Sequence, residues 1–449
     1  MNQNQTSCLA SPQTEAPPLA SRFLDRVLVL GLSGLLILAV LAFGAVEDWS
    51  IFLFEIGAAV LGLVWISKQL ASGQLHILKN PLYLPACLFF MVVLAQIVFG
   101  ISAYPYVTKY AALQYVSYGI VLWIASNCVR GREQRKAFAL IMIVFGASYA
   151  LFALTQDLTS NSKLFWVRSP RFPGSIFGSY VNRNHYAGLM EMLAPIPLAV
   201  SFSRLLPGVQ RVLIGFCGIL MASTIFLCGS RGGMIAFTLE VVLLGALLLS
   251  SHRRAAVMLA YAAVCIGVLV FIFLSNNGRG LARIGDLSPG IRPQIVRDSV
   301  AMFSKKPVWG WGLDTFPTVY PQYRSFYTNL FINEAHNDYV QLLVETGIIG
   351  FSLMVWFLIA VYRQGLAALR HWKDHWDRTI SLAALIGLTG IVIHSFVDFN
   401  LHITANAAFF YALCALAASE LQTSDSRLRL RQASWREVGG KAAKTLAPI

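Results

Sequence analysis

Four polar stretches in an otherwise apolar chain carry residue types that can do chemistry. HNDY opens at His336, GSRGG spans residues 229–233, Arg292 and Arg297 sit in one amphipathic stretch, and HSFVDFNLH begins at His394. A histidine with an ordinary pKa of about 6.5 suits a general base near neutrality. Guanidinium groups bind phosphate and diphosphate bidentately, so Arg231, Arg292 and Arg297 are candidate anion ligands. The glycines of GSRGG let a ligand approach the backbone, and a helix starting there offers N–H groups to an anion. A further stretch, RFPGSIFGSYVNRNHYAG, supplies Arg171, Asn182 and Asn184, while Asn337, Asp338, His394 and Asp398 are candidate supports.

Each has a plainer reading. Arg231 could be a snorkelling residue in a hairpin turn, and Arg292 and Arg297 the solvated face of a helix. His394 and Asp398, four residues apart, could be a satisfied polar pair inside a bundle. His394 and His402 raise a bis-His haem that nothing else supports. The aromatics of 309–331 fit an interfacial belt and equally a platform for sugar faces.

The elements that must position these residues are membrane spans. The 449 residues are 57% hydrophobic and 12% charged, about half the charge of a soluble domain. Apolar runs recur that are long enough to cross a bilayer, and we read about 12 transmembrane helices from them. The fold class expected is an all-α polytopic membrane protein. Residues 1–21 read as a disordered cytoplasmic tail and 22–274 as helices 1–9, with spans at 185–203 and 255–274. Residues 275–337 form a large, partly helical outer loop, 338–421 helices 10–12, and 422–449 a basic cytoplasmic tail. In the short loops Lys and Arg favour the side that holds both termini, which is therefore cytoplasmic. The net charge of +14 reflects those loops and predicts no nucleic-acid partner. The seven cysteines suggest neither disulfides nor a CxxC metal site.

Within the outer loop, Val296, Val300 and Phe303 recur at helical spacing and predict an amphipathic helix ending before Pro307. Helical spacing also sorts EAHNDYVQLLVETGIIG. His336 lies about three turns above Gly347, with Gly350 on the same stripe, bare for a neighbouring helix to approach. Asp338, Gln341 and Glu345 fall on a roughly opposite face. All of these polar stretches, RFPGSIFGSYVNRNHYAG included, fall at outward-facing connections.

Together these stretches resemble the bacterial O-antigen ligase and polysaccharide polymerase family. His336-Asn337, nine residues, Gly347, two residues and Gly350 match the family's ligase signature. GSRGGMIAF resembles its Ser-Arg-Gly motif, Arg292 through KKPVWGWGLDTF its Arg…Pro-x-x-Gly-x-Gly segment, and FPGSIFGSYVNRNHYAG its Gly-x-Phe…Asn-x-Asn element. The likeness covers about residues 165–420. Where the family often has Trp four residues after the arginine, this chain has Val296, which leaves Arg292 and Arg297 as alternatives.

The resemblance implies a GT-C-like glycosyltransferase needing no cofactor or metal. Its donor would be a glycan on undecaprenyl diphosphate. The acceptor would be a glycan, lipid A-core or protein. It would work in the bacterial inner membrane with its site facing the periplasm. His336 would be the catalytic base, and Arg231 and Arg292 would hold diphosphate. A transporter or flippase of lipid-linked glycans is the rival from another class, with Glu55, Glu191 and Glu240 as its nearest midplane charges. A metal-dependent mechanism would instead use Glu47 and Asp48.

Overall fold

The computed structural model describes residues 19–72, 77–170, 176–203, 205–249, 290–369 and 376–418. The expected span 255–274, the first part of the outer loop, Arg171 and both terminal tails lie outside the described residues. Those described fold into helices joined by turns, with isolated bridges at Leu164–Arg168 and Phe177–Tyr180.

The first half runs α1 (Leu19–Leu41), α2 (Asp48–Ser72), α3 (Tyr83–Val98), α4 (Pro105–Cys128) and α5 (Arg132–Thr159). Next come α6 (Arg183–Leu193), α7 (Pro195–Phe202), α8 (Gly208–Leu227) and α9 (Arg231–Leu249). The outer segment holds α10 (Arg292–Phe303) and α11 (Phe316–Val319), and the last helices are α12 (Asp338–Leu369), α13 (Trp376–His394) and α14 (Thr404–Ala418).

Six of these, α1, α2, α5, α8, α12 and α13, are long and apolar enough to cross a membrane, and α3 and α14 are shorter apolar helices. Of the about twelve spans expected from apolar runs, the one at 185–203 is divided. Pro195 has no N–H to donate, and α6 gives way to α7 there.

Burial orders the bundle. The most apolar stretch of α13 is 78% buried, against 28% in α2 and in α8, so α13 is central and the other two lie at the rim. α13 packs against α6, α7, α9 and α14. Phe52, Leu53, Ile56, Val60 and Leu63 of α2 are exposed, a continuous apolar surface suited to lipid. At the start of α13, buried Arg135 of α5 donates to Asp377 O (2.8 Å), Ser381 Oγ (3.0 Å) and Leu416 O (3.3 Å). The polar clusters gather at its opposite end, around His394.

The outer segment has its own small core: Ile295 and Met302 of α10 pack with Phe316, Val319, Tyr320 and Ile332. The buried stripe of α10 is thus Ile295, Ser299 and Met302, while Val300 of the expected stripe is 52% exposed. Both stripes have apolar residues at helical spacing. Contact with Phe316 and Tyr320 selects the one that includes Ile295 and Met302. Several aromatics of 309–331 are therefore core residues, although Tyr327 and Phe331 remain exposed.

α12 departs most from expectation. His336 is not on the helix: it has φ 52° and precedes the first helical residue, Asp338. Gly347 is not part of a bare helical stripe, because its φ of 64° and ψ of −170° interrupt the helix. The backbone of 307–312 fills this gap, joined by Gln96 of α3, whose Nε2 donates to Glu345 O (2.8 Å) and Trp309 O (2.7 Å). Trp311 N donates to Val344 O (2.9 Å), Gly312 N to Glu345 O (2.9 Å) and Ile348 N to Pro307 O (2.8 Å). The break exposes main-chain groups and the loop satisfies them, as buried backbone requires. It also ties the outer segment to the span that follows His336.

Candidate active site

A cleft of about 860 Å³, solvent included, opens where α6, α9, α10 and α13 end or begin. Arg231, Arg292, His336, Asn184, His394 and Asp398 all line it, together with Arg183 and the glycines 229, 232 and 290. Those six are residues singled out from sequence, drawn from five separate stretches.

Asp398 is the hub. It lies in the turn after α13 and is fully buried. Its Oδ2 accepts from Arg292 Nη2 (3.2 Å) and from Asn184 Nδ2, and its Oδ1 accepts from Phe399 N (2.9 Å). Oδ1 also faces His336 Nδ1 at 3.7 Å and His185 Nε2 at 3.9 Å. Burial alone would raise this carboxyl, but His336, Arg292, His185 and His394 outweigh it and hold the group well below the usual carboxylate range.

His336 is 25% exposed at its side chain, so it meets both the cleft and the bundle. Its ring sits edge-on to Phe399 at 4.9 Å, as does that of His185 at 4.6 Å. Buried Nδ1 has no hydrogen-bond partner, since 3.7 Å is too long for one. A carboxylate opposite Nδ1 favours the tautomer with hydrogen on that nitrogen and leaves Nε2 with a lone pair.

The arginines come from two helix starts. Arg231 is the first residue of α9. Gly229 before it takes φ 73°, and Ser230 Oγ accepts from Gly233 N (3.2 Å), capping the helix. Arg292 is the first residue of α10, and its Nη1 also donates to Val397 O (2.6 Å). Arg297 is exposed farther along α10 and does not line the cleft. Of the two, Arg292 is the one that lines the cleft.

Other predicted residues frame the cleft. Asn182 caps α6, accepting from Asn184 N (2.9 Å). Asn337 Oδ1 caps α12, accepting from Tyr339 N and Val340 N at 3.1 Å each, while its Nδ2 donates to Phe396 O (2.9 Å). Asp338 points to the far side of α12, where it contacts His402 Nδ1 (2.7 Å), Ser395 Oγ (2.7 Å) and Leu401 N (3.2 Å).

Two sequence readings change here. His394 does not pair with Asp398 as neighbours along a helix, because α13 ends at His394; its Nδ1 meets Glu191 Oε1 at 2.9 Å. His402 is occupied with Asp338, which leaves the bis-His arrangement without geometry. Glu47 forms an ion pair with Arg168 and, like Asp48, does not line the cleft. Among the described residues no three His, Cys, Asp or Glu side chains are grouped as a metal site. Sequence reasoning missed Arg183, His185 and the role of Glu191. Its one signal for Glu191 was a charge inside an apolar span, a feature that often marks function.

A second polar cluster lies behind α12. Gln341 Oε1 accepts from Ala335 N (2.8 Å), its Nε2 donates to Glu345 Oε1 (3.2 Å) and to Glu334, and Glu345 Oε2 accepts from Asp314 N (2.9 Å). Burial pushes Glu334 up to about 7, with His402 and Gln341 opposing. Burial lowers His402, but Glu334, Asp338 and Glu345 prevail and raise it to about 10. This cluster holds the loop to the helix and leaves the His336 side to the cleft.

No curated protein matches the chain. Residues 216–357, the segment that carries Arg231, Arg292 and His336, match the family model described as O-antigen ligase, Wzy_C.

Proposed function

We propose that the protein is a membrane-embedded glycosyltransferase that moves a glycan from an undecaprenyl-diphosphate carrier to an acceptor hydroxyl. The observation that carries this reading is that Arg231, Arg292 and His336 line one cleft. The family implies lipid-linked glycan substrates in general. The geometry supports specific roles for this chain's residues.

Arg231 and Arg292 bind the diphosphate and stabilise the charge that develops as the anomeric carbon–oxygen bond breaks. His336 Nε2 takes the proton of the acceptor hydroxyl as its oxygen attacks the same carbon. Asp398, whose Oδ1 faces Nδ1 at 3.7 Å, favours the tautomer with hydrogen on Nδ1 and stabilises the imidazolium. Direct attack inverts the anomeric centre. Lipid diphosphate is already a good leaving group, so the scheme needs no metal. In this reading both termini are cytoplasmic, the cleft faces the periplasm, and the acceptor enters from the outer segment.

The test is transfer in vitro from a lipid-diphosphate glycan to three acceptors: lipid A-core, the glycan itself and a protein. Product with one acceptor, retained in EDTA and lost in His336→Ala, supports the reading. Purified, folded protein that transfers to none of them overturns it.

A further inference from the structure

The pair formed by Glu191 and His394 is buried, with side chains 0% and 1% exposed, yet His394 lines the cleft. Its two ring nitrogens face different ways. Nδ1 is taken by Glu191 Oε1 at 2.9 Å. The opposite edge of the ring faces Gly232, where an added Cβ would lie 2.7 Å from both Cδ2 and Nε2. The bare Gly232 leaves that nitrogen uncovered, and Gly232 lines the cleft as well.

The proton on Nε2 follows from charge balance. A buried pair bearing net charge is costly, so glutamate and histidine together hold the protons of a neutral unit. If the pair is carboxylate and imidazolium, both ring nitrogens carry hydrogen. If it is carboxylic acid and imidazole, the acid donates to Nδ1 and the ring hydrogen is on Nε2. Either way Nε2 presents a donor to the cleft.

We propose that His394 is a third diphosphate-binding group beside Arg231 and Arg292, donating from Nε2, and that Glu191 is its positioning residue. The inference rests on the diphosphate reading of the cleft. Three donors would then reach the anion from three helix ends: the start of α9, the start of α10 and the end of α13. The ionisable groups facing His394 include Glu191 and His185 from α6, Asp398 from the following turn and Arg292 from α10. Glu240 of α9 packs its carboxyl against Gly390, one turn earlier on α13. Neither of its oxygens has a hydrogen-bond partner, and Glu191 Oε2 also lacks one.

The experiment measures inorganic pyrophosphate binding to full-length protein in detergent, with melting temperature as the check on folding. His394→Gln keeps an amide for Glu191 but removes the Nε2 donor. It should weaken binding about tenfold or more, as loss of a hydrogen bond to a charged group does. Glu191→Gln should weaken it similarly, and the double variant no further than His394→Gln alone, because the two residues act as one unit. Gly232→Ala sets a methyl group over Nε2 and should also weaken binding with the pair intact. Glu240→Gln should bind as the unaltered protein does. In transfer assays His394→Gln should raise the donor KM and leave the acceptor KM unchanged.

Pyrophosphate binding unaffected by His394→Gln and Gly232→Ala, but lost in Arg292→Ala, overturns the role of His394 and leaves the diphosphate site standing. Binding unaffected by Arg231→Ala and Arg292→Ala overturns the diphosphate reading itself. A loss in Glu240→Gln equal to that in Glu191→Gln shows a general effect of buried acids and overturns the positioning role.

Discussion

The backbones of Gly310 and Gly347 cross in contact: a Cβ on Gly310 would lie 2.6 Å from Gly347 N, and one on Gly347 would lie 2.7 Å from Gly310 N. Both residues have positive φ, 70° and 64°. This crossing fixes the GWG turn against the break in α12. Alanine at either site therefore meets main chain as well as a left-handed backbone. The conformation alone costs about 1–3 kcal/mol, and the clash adds to it. Gly310→Ala and Gly347→Ala should lower the melting temperature in detergent and reduce transfer together. A Gly310→Ala protein that melts and transfers normally would show that the crossing is dispensable.

Residue type and membrane logic made much of the cleft legible. Histidine and arginine at the ends of apolar runs are few, and Arg231, Arg292 and His336 stood out on that basis. What periodicity could not show is backbone conformation. His336 has φ 52° and Gly347 interrupts α12, so counting helical turns between them joins two residues that are both outside regular helix. On α10, Ile295 with Met302 and Val296 with Phe303 have the same seven-residue spacing, and only tertiary contact separates them. His394 and Asp398 looked like a pair at helical spacing because nothing local says that α13 stops at His394. The true partner, Glu191, is 203 residues away.

Arg292 and Arg297 provide a direct comparison on one helix. Arg292 bonds Asp398 and Val397 O and lines the cleft, whereas Arg297 is exposed and does not line it. Arg292→Ala should lower kcat/KM for the lipid-linked donor by about 10²-fold or more, the scale of losing one preorganised charge-stabilising donor. Arg297→Ala should change it less than about twofold, since exposed charges contribute little. Steady-state transfer kinetics on the two variants decide this, and equal losses would count against the assigned geometry.

The cluster behind α12 predicts a pH dependence of stability. Glu334, at about 7 when folded, lies above the ordinary glutamate value of about 4.3. Its contribution is fully present below the unfolded value and lost as pH rises through 7. His402, at about 10, lies above the ordinary value of about 6.5. Its contribution is present below that value and lost as pH rises through 10. Melting temperature should therefore fall in two steps across this range. Glu334→Gln should flatten the acidic step. It should also bring the histidine step to lower pH, because Glu334 is the main charge supporting His402. A melting curve against pH that is identical in Glu334→Gln would remove Glu334 from the account.

His336→Ala and Asp398→Asn separate the base from the carboxylate that faces it. His336→Ala should lower kcat by about 10²–10⁴-fold, while pyrophosphate still binds through the arginines. Asp398→Asn keeps the shape but loses the charge that faces His336 and Arg292. Breaking a buried ion pair costs about 3–5 kcal/mol, and partial exposure of Arg292 and His336 places this one at the low end or below. The sign in pH is opposite to that of Glu334. Asp398 is held below the usual carboxylate range, so its contribution is present above about pH 4 and lost only as pH falls toward the depressed folded value. The stability deficit of Asp398→Asn should accordingly be constant between about pH 5 and 8 and shrink in stronger acid. Activity should fall throughout, because the neutral amide of asparagine cannot stabilise the imidazolium that forms at His336. If Asp398→Asn transfers glycan at the normal rate while His336→Ala is inactive, then His336 works without the carboxylate, and the 3.7 Å contact is structural alone.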